Sequence, residues 1–262
     1  ADDEGFFSGW IPPGMPRRLD PEWVEIHAGL ISTGRLVPSL TRESKGAAYF
    51  PLTPPEYLVI SDIDDTVLQS RVTNFLRAAQ TLAFGNARTR LPFPGVARFY
   101  QALRRGSGTS GRNPVFYVSS SPWNLYDVIT QFLELQEIPL GPVMLRDLDI
   151  GLSVLSHRRH HDHKGTHIRR VLDTFPRIPV VLIGDSGQQD PEIYSGIVKD
   201  YTGRVSAIYI RNVTMDAERA NAINRLAKDV VAAGSLLVLA DGTLAAARQP
   251  VEGGLIPSAG VD

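Results

Sequence analysis

Apolar residues fall into two rhythms along this chain, and the change comes at residue 57. From there, short apolar runs recur at Tyr57–Ser61, Val115–Val118, Val143–Leu145, Val180–Ile183 and Ala207–Ile210, with a weaker run at Leu236–Leu239. Runs without polar alternation suit strands that are covered on both faces. Between them the spacing is helical. Val96, Phe99, Tyr100 and Leu103 recur at i, i+3, i+4 and i+7, as do Leu125, Val128, Ile129, Phe132 and Leu133, and again Ile168, Val171, Leu172 and Phe175. Ala217, Ala220, Ile223, Leu226, Val230 and Val231 give one more amphipathic face before Gly234. Pro122 and Pro191 are predicted at first helical positions, capped by Ser121 and Asp190. Strand–helix alternation of this length predicts a doubly wound α/β domain over residues 57–245, with a mostly parallel sheet of five or six strands. Residues 246–262 read as a C-terminal tail.

Residues 1–56 differ. They hold eight of the nineteen prolines, and their apolar stretches are short: Gly5-Phe6-Phe7 through Trp10-Ile11, then Trp23-Val24-Glu25-Ile26. A few short strands in a Pro-rich segment are too little for a separate core. Pro51 to Pro55 reads as a linker, and Gly106–Arg112 as a flexible surface loop.

Composition narrows the partners. The 262 residues carry a net charge of −1, so no nucleic acid is expected and any basic site must be local. There is no cysteine, which removes disulfides and thiolate metal ligands and fits a reducing, cytoplasmic compartment. No run of 18 apolar residues occurs, so membrane contact is expected to be peripheral. The chain opens on Ala1 without a basic-then-apolar leader, the form expected of a piece of a longer protein.

In an open parallel sheet, ligands bind beyond the carboxyl ends of the strands. The first strand is followed by Asp62-Ile63-Asp64-Asp65-Thr66. Alternation puts Asp62 and Asp64 on one side, where two carboxylates repel unless a cation or a shared proton compensates. One could bind Mg²⁺ and attack phosphorus while the other moves a proton; an acidic turn capping a helix through Asp65 and Thr66 is the plainer alternative. Ser119-Ser120-Ser121-Pro122 follows the second strand, either as a phosphate cradle or as an ordinary cap. Gly184-Asp185-Ser186-Gly187-Gln188-Gln189-Asp190-Pro191 follows the fourth and adds two carboxylates where glycines permit close backbone approach. Two acidic strand ends at one sheet edge favour a magnesium site, which requires Asp185 within about 8 Å of Asp62, since Mg²⁺ oxygens sit ~2.1 Å from the ion. Lys164, at the predicted start of the Ile168–Phe175 helix, is the group placed to hold a phosphoryl. Five of the six histidines lie in His157–His167. Their spacing matches no familiar zinc pattern, and Arg158 and Arg159 oppose a cation, so this segment reads as a basic loop facing an anionic substrate or membrane surface.

Four strand-end motifs in this order resemble the haloacid dehalogenase superfamily of phosphotransferases. Asp62–Val67 (DIDDTV), Arg90–Gly95 (RLPFPG), Phe116–Trp123 (FYVSSSPW) and Gly184–Tyr194 (GDSGQQDPEIY) are further similar to the actin patch protein type of phosphatidate phosphatase and its bacterial relatives, over roughly residues 55 to 212. The resemblance implies a haloacid dehalogenase-like, Rossmannoid domain with a small cap or none. It implies Asp62 as nucleophile and Asp64 as general acid and base. Mg²⁺ would be held by the Asp62 carboxylate, the Asp64 backbone carbonyl and Asp185, with Asp190 nearby. Ser119, or else Ser120, would bind the substrate phosphate, and Lys164 would bridge nucleophile and phosphoryl. Phosphatidate would be converted to diacylglycerol. Asp2–Ile11 looks like the last strand of the β-sandwich that often precedes such domains, which makes residues 1–56 a remnant plus linker.

Val72, Phe75, Leu76, Ala79, Leu82 and Ala83 share a helical face interspersed with Arg71, Arg77, Arg88 and Arg90, which reads as a small cap helix over the site or as a helix packed on the sheet. Two other functions compete with a phosphatidate phosphatase: a phosphatase of a soluble phosphomonoester, and a phosphatidate-binding lipid sensor without turnover. The presence of both Asp62 and Asp64 favours turnover.

Overall fold

The computed structural model describes residues 22–29, 43–49, 54–67, 95–107, 112–146, 157–214, 216–242 and 246. The cap-helix stretch, its arginines, the Asp2–Ile11 strand and the tail beyond 246 lie outside the described residues. Two compact units divide between Leu52 and Thr53. In the first, β1 (Trp23–Gly29) pairs antiparallel with β2 (Glu43–Tyr49), with Trp23 opposite Tyr49 and their rings edge to face at 5.1 Å.

The second unit is built around six parallel strands: β3 (Leu58–Ser61), β4 (Val115–Pro122), β5 (Val143–Arg146), β6 (Val180–Asp185), β7 (Val205–Arg211) and β8 (Leu236–Ala240), in the order β5-β4-β3-β6-β7-β8. The weak Leu236–Leu239 run is thus a full member. The helices between them are α1 (Val96–Arg105), α2 (Tyr126–Leu135), α3 (His157–Thr174), α4 (Asp190–Asp200) and α5 (Ala217–Ala232).

Period-two geometry sorts each strand's side chains between two cores. Val59, Val115, Tyr117, Val181, Ile183, Ala207 and Tyr209 pack with α1 and α2 on one face. Leu58, Ile60, Phe116, Val118, Leu182, Ile208 and Ile210 pack with α3, α4 and α5 on the other. Both faces are covered, which is why the strands read as unbroken apolar runs.

Three local expectations are corrected. β4 runs on through Pro122, and a 3-10 turn, Trp123–Leu125, precedes α2, so Ser121 is a strand residue and not a cap. α4 starts at Asp190 with Gln189 as its cap residue, which makes Pro191 the second helical position. The histidine-rich segment is not a loop: α3 begins at His157, upstream of any apolar periodicity.

Asn113 ties the start of the sheet to α1. Fully buried, its Oδ1 accepts the N–H groups of Glu56 (2.9 Å) and Tyr57 (3.3 Å), and its Nδ2 donates to the Leu103 carbonyl at 3.1 Å. Asn113→Ala removes the acceptor of the Glu56 and Tyr57 N–H groups, while the Leu103 carbonyl keeps Tyr57 Oη and the Gly106 N–H as donors, and urea denaturation should show a loss of roughly 2 kcal/mol.

Candidate active site

β3 and β6 are adjacent, yet the chain leaves them toward opposite sides of the sheet, toward β4 and toward β7. Their carboxyl ends therefore open a crevice at a topological switch point. The Asp62 N–H donates to the Ile183 carbonyl at 2.9 Å, which fixes the two strand ends to each other. Tyr194 Oη donates to that same carbonyl at 2.9 Å from α4.

Asp62 is fully buried at the end of β3. Its Oδ1 lies 2.9 Å from Lys164 Nζ, and its Oδ2 accepts from Thr66 Oγ1 at 3.2 Å. Lys164 sits within α3 rather than at its start. It precedes Ile168, Val171 and Leu172 by four, seven and eight residues, so the stripe that faces the sheet, extended back one turn, lands on it. Nζ consequently reaches the strand ends, where it also pairs with Asp190 Oδ1. Burial lowers the Lys164 pKa, but attraction to Asp62 and Asp190 outweighs it and holds the group above its ordinary value. Burial pushes the Asp62 carboxyl well up. Lys164 opposes that rise, while Asp190, Asp64 and Asp185 add to it.

Asp64 follows a different set of contacts. Ser119 Oγ donates to its Oδ2 at 2.7 Å, and Ser121 Oγ donates to the same atom at 3.1 Å. Both serines project to one side of β4, and Ser120, between them, is exposed. Burial raises the Asp64 carboxyl, against the pull of these two hydroxyls. Asp65 then takes a left-handed turn (φ 59°), a conformation that aspartate tolerates better than most residues.

At the end of β6, Asp185 Oδ1 accepts the Gly187 and Gln188 N–H groups at 2.7 and 2.9 Å. Its Oδ2 is buried without a hydrogen-bond partner among the described residues. Burial and the neighbouring Asp190 push the Asp185 carboxyl up to about 7. Asp190 Oδ2 accepts the Asp185 N–H at 3.1 Å, so both Asp190 oxygens are engaged, one by a backbone and one by Lys164. The Asp190 side chain lies against Gly184, and a Cβ there would overlap its carboxylate.

One oxygen each from Asp62, Asp185 and Asp190 lies within 4.8 Å of the others, well inside the 8 Å expected of carboxylates that share an ion. The donor set is oxygen only, and the orphaned Asp185 Oδ2 lacks the partner that a buried carboxylate oxygen requires. Both features fit a hard divalent cation held by Asp62 and Asp185, with Asp190 as the strut that positions Asp185 and Lys164. The Asp64 carboxylate stands outside this trio; its backbone carbonyl accepts from Gln188 Nε2 at 3.4 Å.

Several participants escaped the sequence. Gln188 stands between the two halves of the site, with Oε1 3.5 Å from Lys164 Nζ. Arg219, on α5, donates to the Ser186 and Gln188 carbonyls at 2.8 and 2.7 Å while paired with Glu192 at 2.5 Å, and so pins the Asp185 loop. Nothing in the local sequence marks either role, since the contacts span 24 to 124 residues. Of the histidine segment, the side chains of His163 and His167 meet edge to face at 4.4 Å; they are not in the carboxylate trio.

The chain is 29% identical over 153 residues to phosphatidate phosphatase APP1 of Saccharomyces cerevisiae, covering 58% of this chain and 25% of that protein. It is 30% identical over 163 residues to an uncharacterized protein of Schizosaccharomyces pombe, covering 60% and 25% respectively. The chain thus spans about a quarter of the length of these relatives. Residues 57–212, from the residue before β3 to the one after β7, match the family described as phosphatidate phosphatase APP1, catalytic domain. This chain belongs to the APP1 catalytic-domain family.

Proposed function

We propose that the chain is a magnesium-dependent phosphatase of the haloacid dehalogenase type, which hydrolyses phosphatidate to diacylglycerol and phosphate through an aspartyl-phosphate on Asp62. The carrying observation is the buried group of Asp62, Asp185 and Asp190 with Lys164 between Asp62 and Asp190. A cluster so rich in negative charge with one ammonium in direct contact is costly unless a cation shares it. Family membership and the activity by which the yeast relative is named support phosphatidate as the substrate.

Bound between Asp62 and Asp185, with the Asp64 backbone carbonyl completing the protein donors, Mg²⁺ would offset the charge of the phosphoryl oxygens. The Asp62 carboxylate attacks phosphorus as the ester P–O bond breaks. Asp64, favoured in its protonated form by burial, gives its proton to the departing oxygen. The Asp64 carboxylate then takes a proton from water as that water's oxygen attacks phosphorus. The bond from Asp62 to phosphorus breaks, restoring the carboxylate and releasing inorganic phosphate. Lys164 favours the ionised form of Asp62 for the first step, against the pull of burial, and neutralises the phosphoryl in both. Ser119 and Ser121 orient Asp64, and Ser119 is the serine that binds the substrate phosphate in this reading.

Phosphate release from phosphatidate vesicles, compared with a panel of soluble phosphomonoesters, tests the assignment. Asp62→Asn should abolish turnover with the fold retained, because an amide cannot form the acyl-phosphate. Asp64→Asn should lose ~10²–10⁴-fold. EDTA should stop the reaction and Mg²⁺ restore it; normal turnover by Asp62→Asn would end the nucleophile assignment, and a preference for soluble esters would displace phosphatidate.

Metal binding has its own readout. The Asp185 carboxyl is raised from its unfolded value near 3.8 to about 7, so the ion-free folded protein binds the extra proton and loses stability as pH rises through that window. A divalent ion replaces that proton. Mg²⁺ at about 100 times its dissociation constant should stabilise the fold by ~2.7 kcal/mol at pH 7.5. The rise in Tm should shrink at pH 5.5 and vanish in Asp185→Asn; an equal rise in that variant would remove Asp185 from the metal site.

A further inference from the structure

The phosphatase reading says where the phosphoryl goes but leaves open what receives the organic half of the ester. Asp64 protonates the departing oxygen, and Asp64 is held from β4 by Ser119 and Ser121. The leaving group must therefore lie over the carboxyl end of β4. Two residues beyond Ser121 stands Trp123, whose Cα is within ~7 Å of that of Ser121 by chain reach alone. Trp123 and Tyr126 are 37% and 39% exposed, and their rings stack at 5.8 Å with 29° between planes. Leu125, between them, is buried in the core and fixes the turn that presents the pair.

Their location sets them apart. The other exposed large apolar side chains described in this unit are Leu135 at the end of α2, Leu140 ahead of β5, Val231 near the end of α5 and Leu236 at the start of β8. In a parallel α/β layer, helix ends and strand starts lie at the edge opposite the site. Trp123 and Tyr126 are thus the large apolar groups, among the described residues, exposed on the site's own edge. Both are rigid, and both join an apolar ring to a polar N–H or O–H, which suits a ligand that passes from a phosphate ester to hydrocarbon.

We propose that the stacked Trp123–Tyr126 pair is the platform for the organic part of the leaving group, and that it makes the site select phosphate esters bearing acyl chains over small polar ones. This rests on the phosphatase reading for the position of the leaving oxygen. A purely structural role, in which the rings only brace the start of α2, would affect all substrates alike.

The experiment compares kcat/KM for dioctanoyl phosphatidate, kept monomeric, with that for glycerol 3-phosphate, each with Mg²⁺ and with Asp62→Asn as the blank. Trp123→Ala and Tyr126→Ala should each lower the ratio of the two values about tenfold, the effect expected from losing most of one buried apolar side chain. Trp123→Phe should recover most of it. A ratio within twofold of wild type in both alanine variants overturns the platform while leaving Asp62-dependent hydrolysis, and the phosphatase reading, intact. Should neither ester be hydrolysed in an Asp62-dependent way, that reading falls and binding decides instead. With Trp10→Phe and Trp23→Phe leaving Trp123 as the lone indole, dioctanoyl phosphatidate should shift its emission to the blue where glycerol 3-phosphate does not. Absence of that difference overturns the platform.

Discussion

Two buried carboxylates, Asp62 and Asp190, share one ammonium, and everything else in the site is arranged around that sharing. Each charge alone would be expensive at such depth, and removing one member would strand the others. The sharing also joins three elements, since Asp62 follows β3 directly, Lys164 belongs to α3 and Asp190 begins α4. Lys164 opposes the burial that drives the Asp62 carboxyl toward its neutral form, and so favours the carboxylate that an attack on phosphorus requires.

Sheet order makes the sharing available. Because β3 and β6 are neighbours whose connections diverge, their carboxyl ends border a crevice at the switch point of the sheet. Asp62 and Asp185 face each other there from adjacent strands, and β4 on the other side of β3 supplies the serines that hold Asp64. Each strand thus contributes one chemical function at its carboxyl end: carboxylates from β3, hydroxyls from β4, and a third carboxylate from β6.

Much of this was legible because two-sided burial writes continuous apolar runs, and because chemistry in such sheets collects just after them. Where the reading failed, a local signal misled. Pro122 marked a helix start and so cut β4 short at Val118; extended to its true end, alternation alone would have grouped Ser119 with Ser121 and turned Ser120 outward. Lys164 was expected at a helix start and lies within a helix, because the charged residues from His157 onward carry no apolar period to announce one. β2, with the sequence ESKGAAY, has too few apolar residues to stand out. Gln188 and Arg219 act through contacts across the fold, which no window of sequence contains.

Arg219 also bears on where the working unit ends. It lies beyond residue 212, where the family match stops, yet its guanidinium holds the carbonyls of Ser186 and Gln188 on either side of Gly187. A nascent chain that has emerged only as far as β7 already contains every acidic residue of the centre but lacks the clasp on the loop that carries Asp185. The loop that carries Asp185 is therefore clasped only once α5 is in place, and the boundary drawn by kinship falls short of the boundary drawn by mechanics.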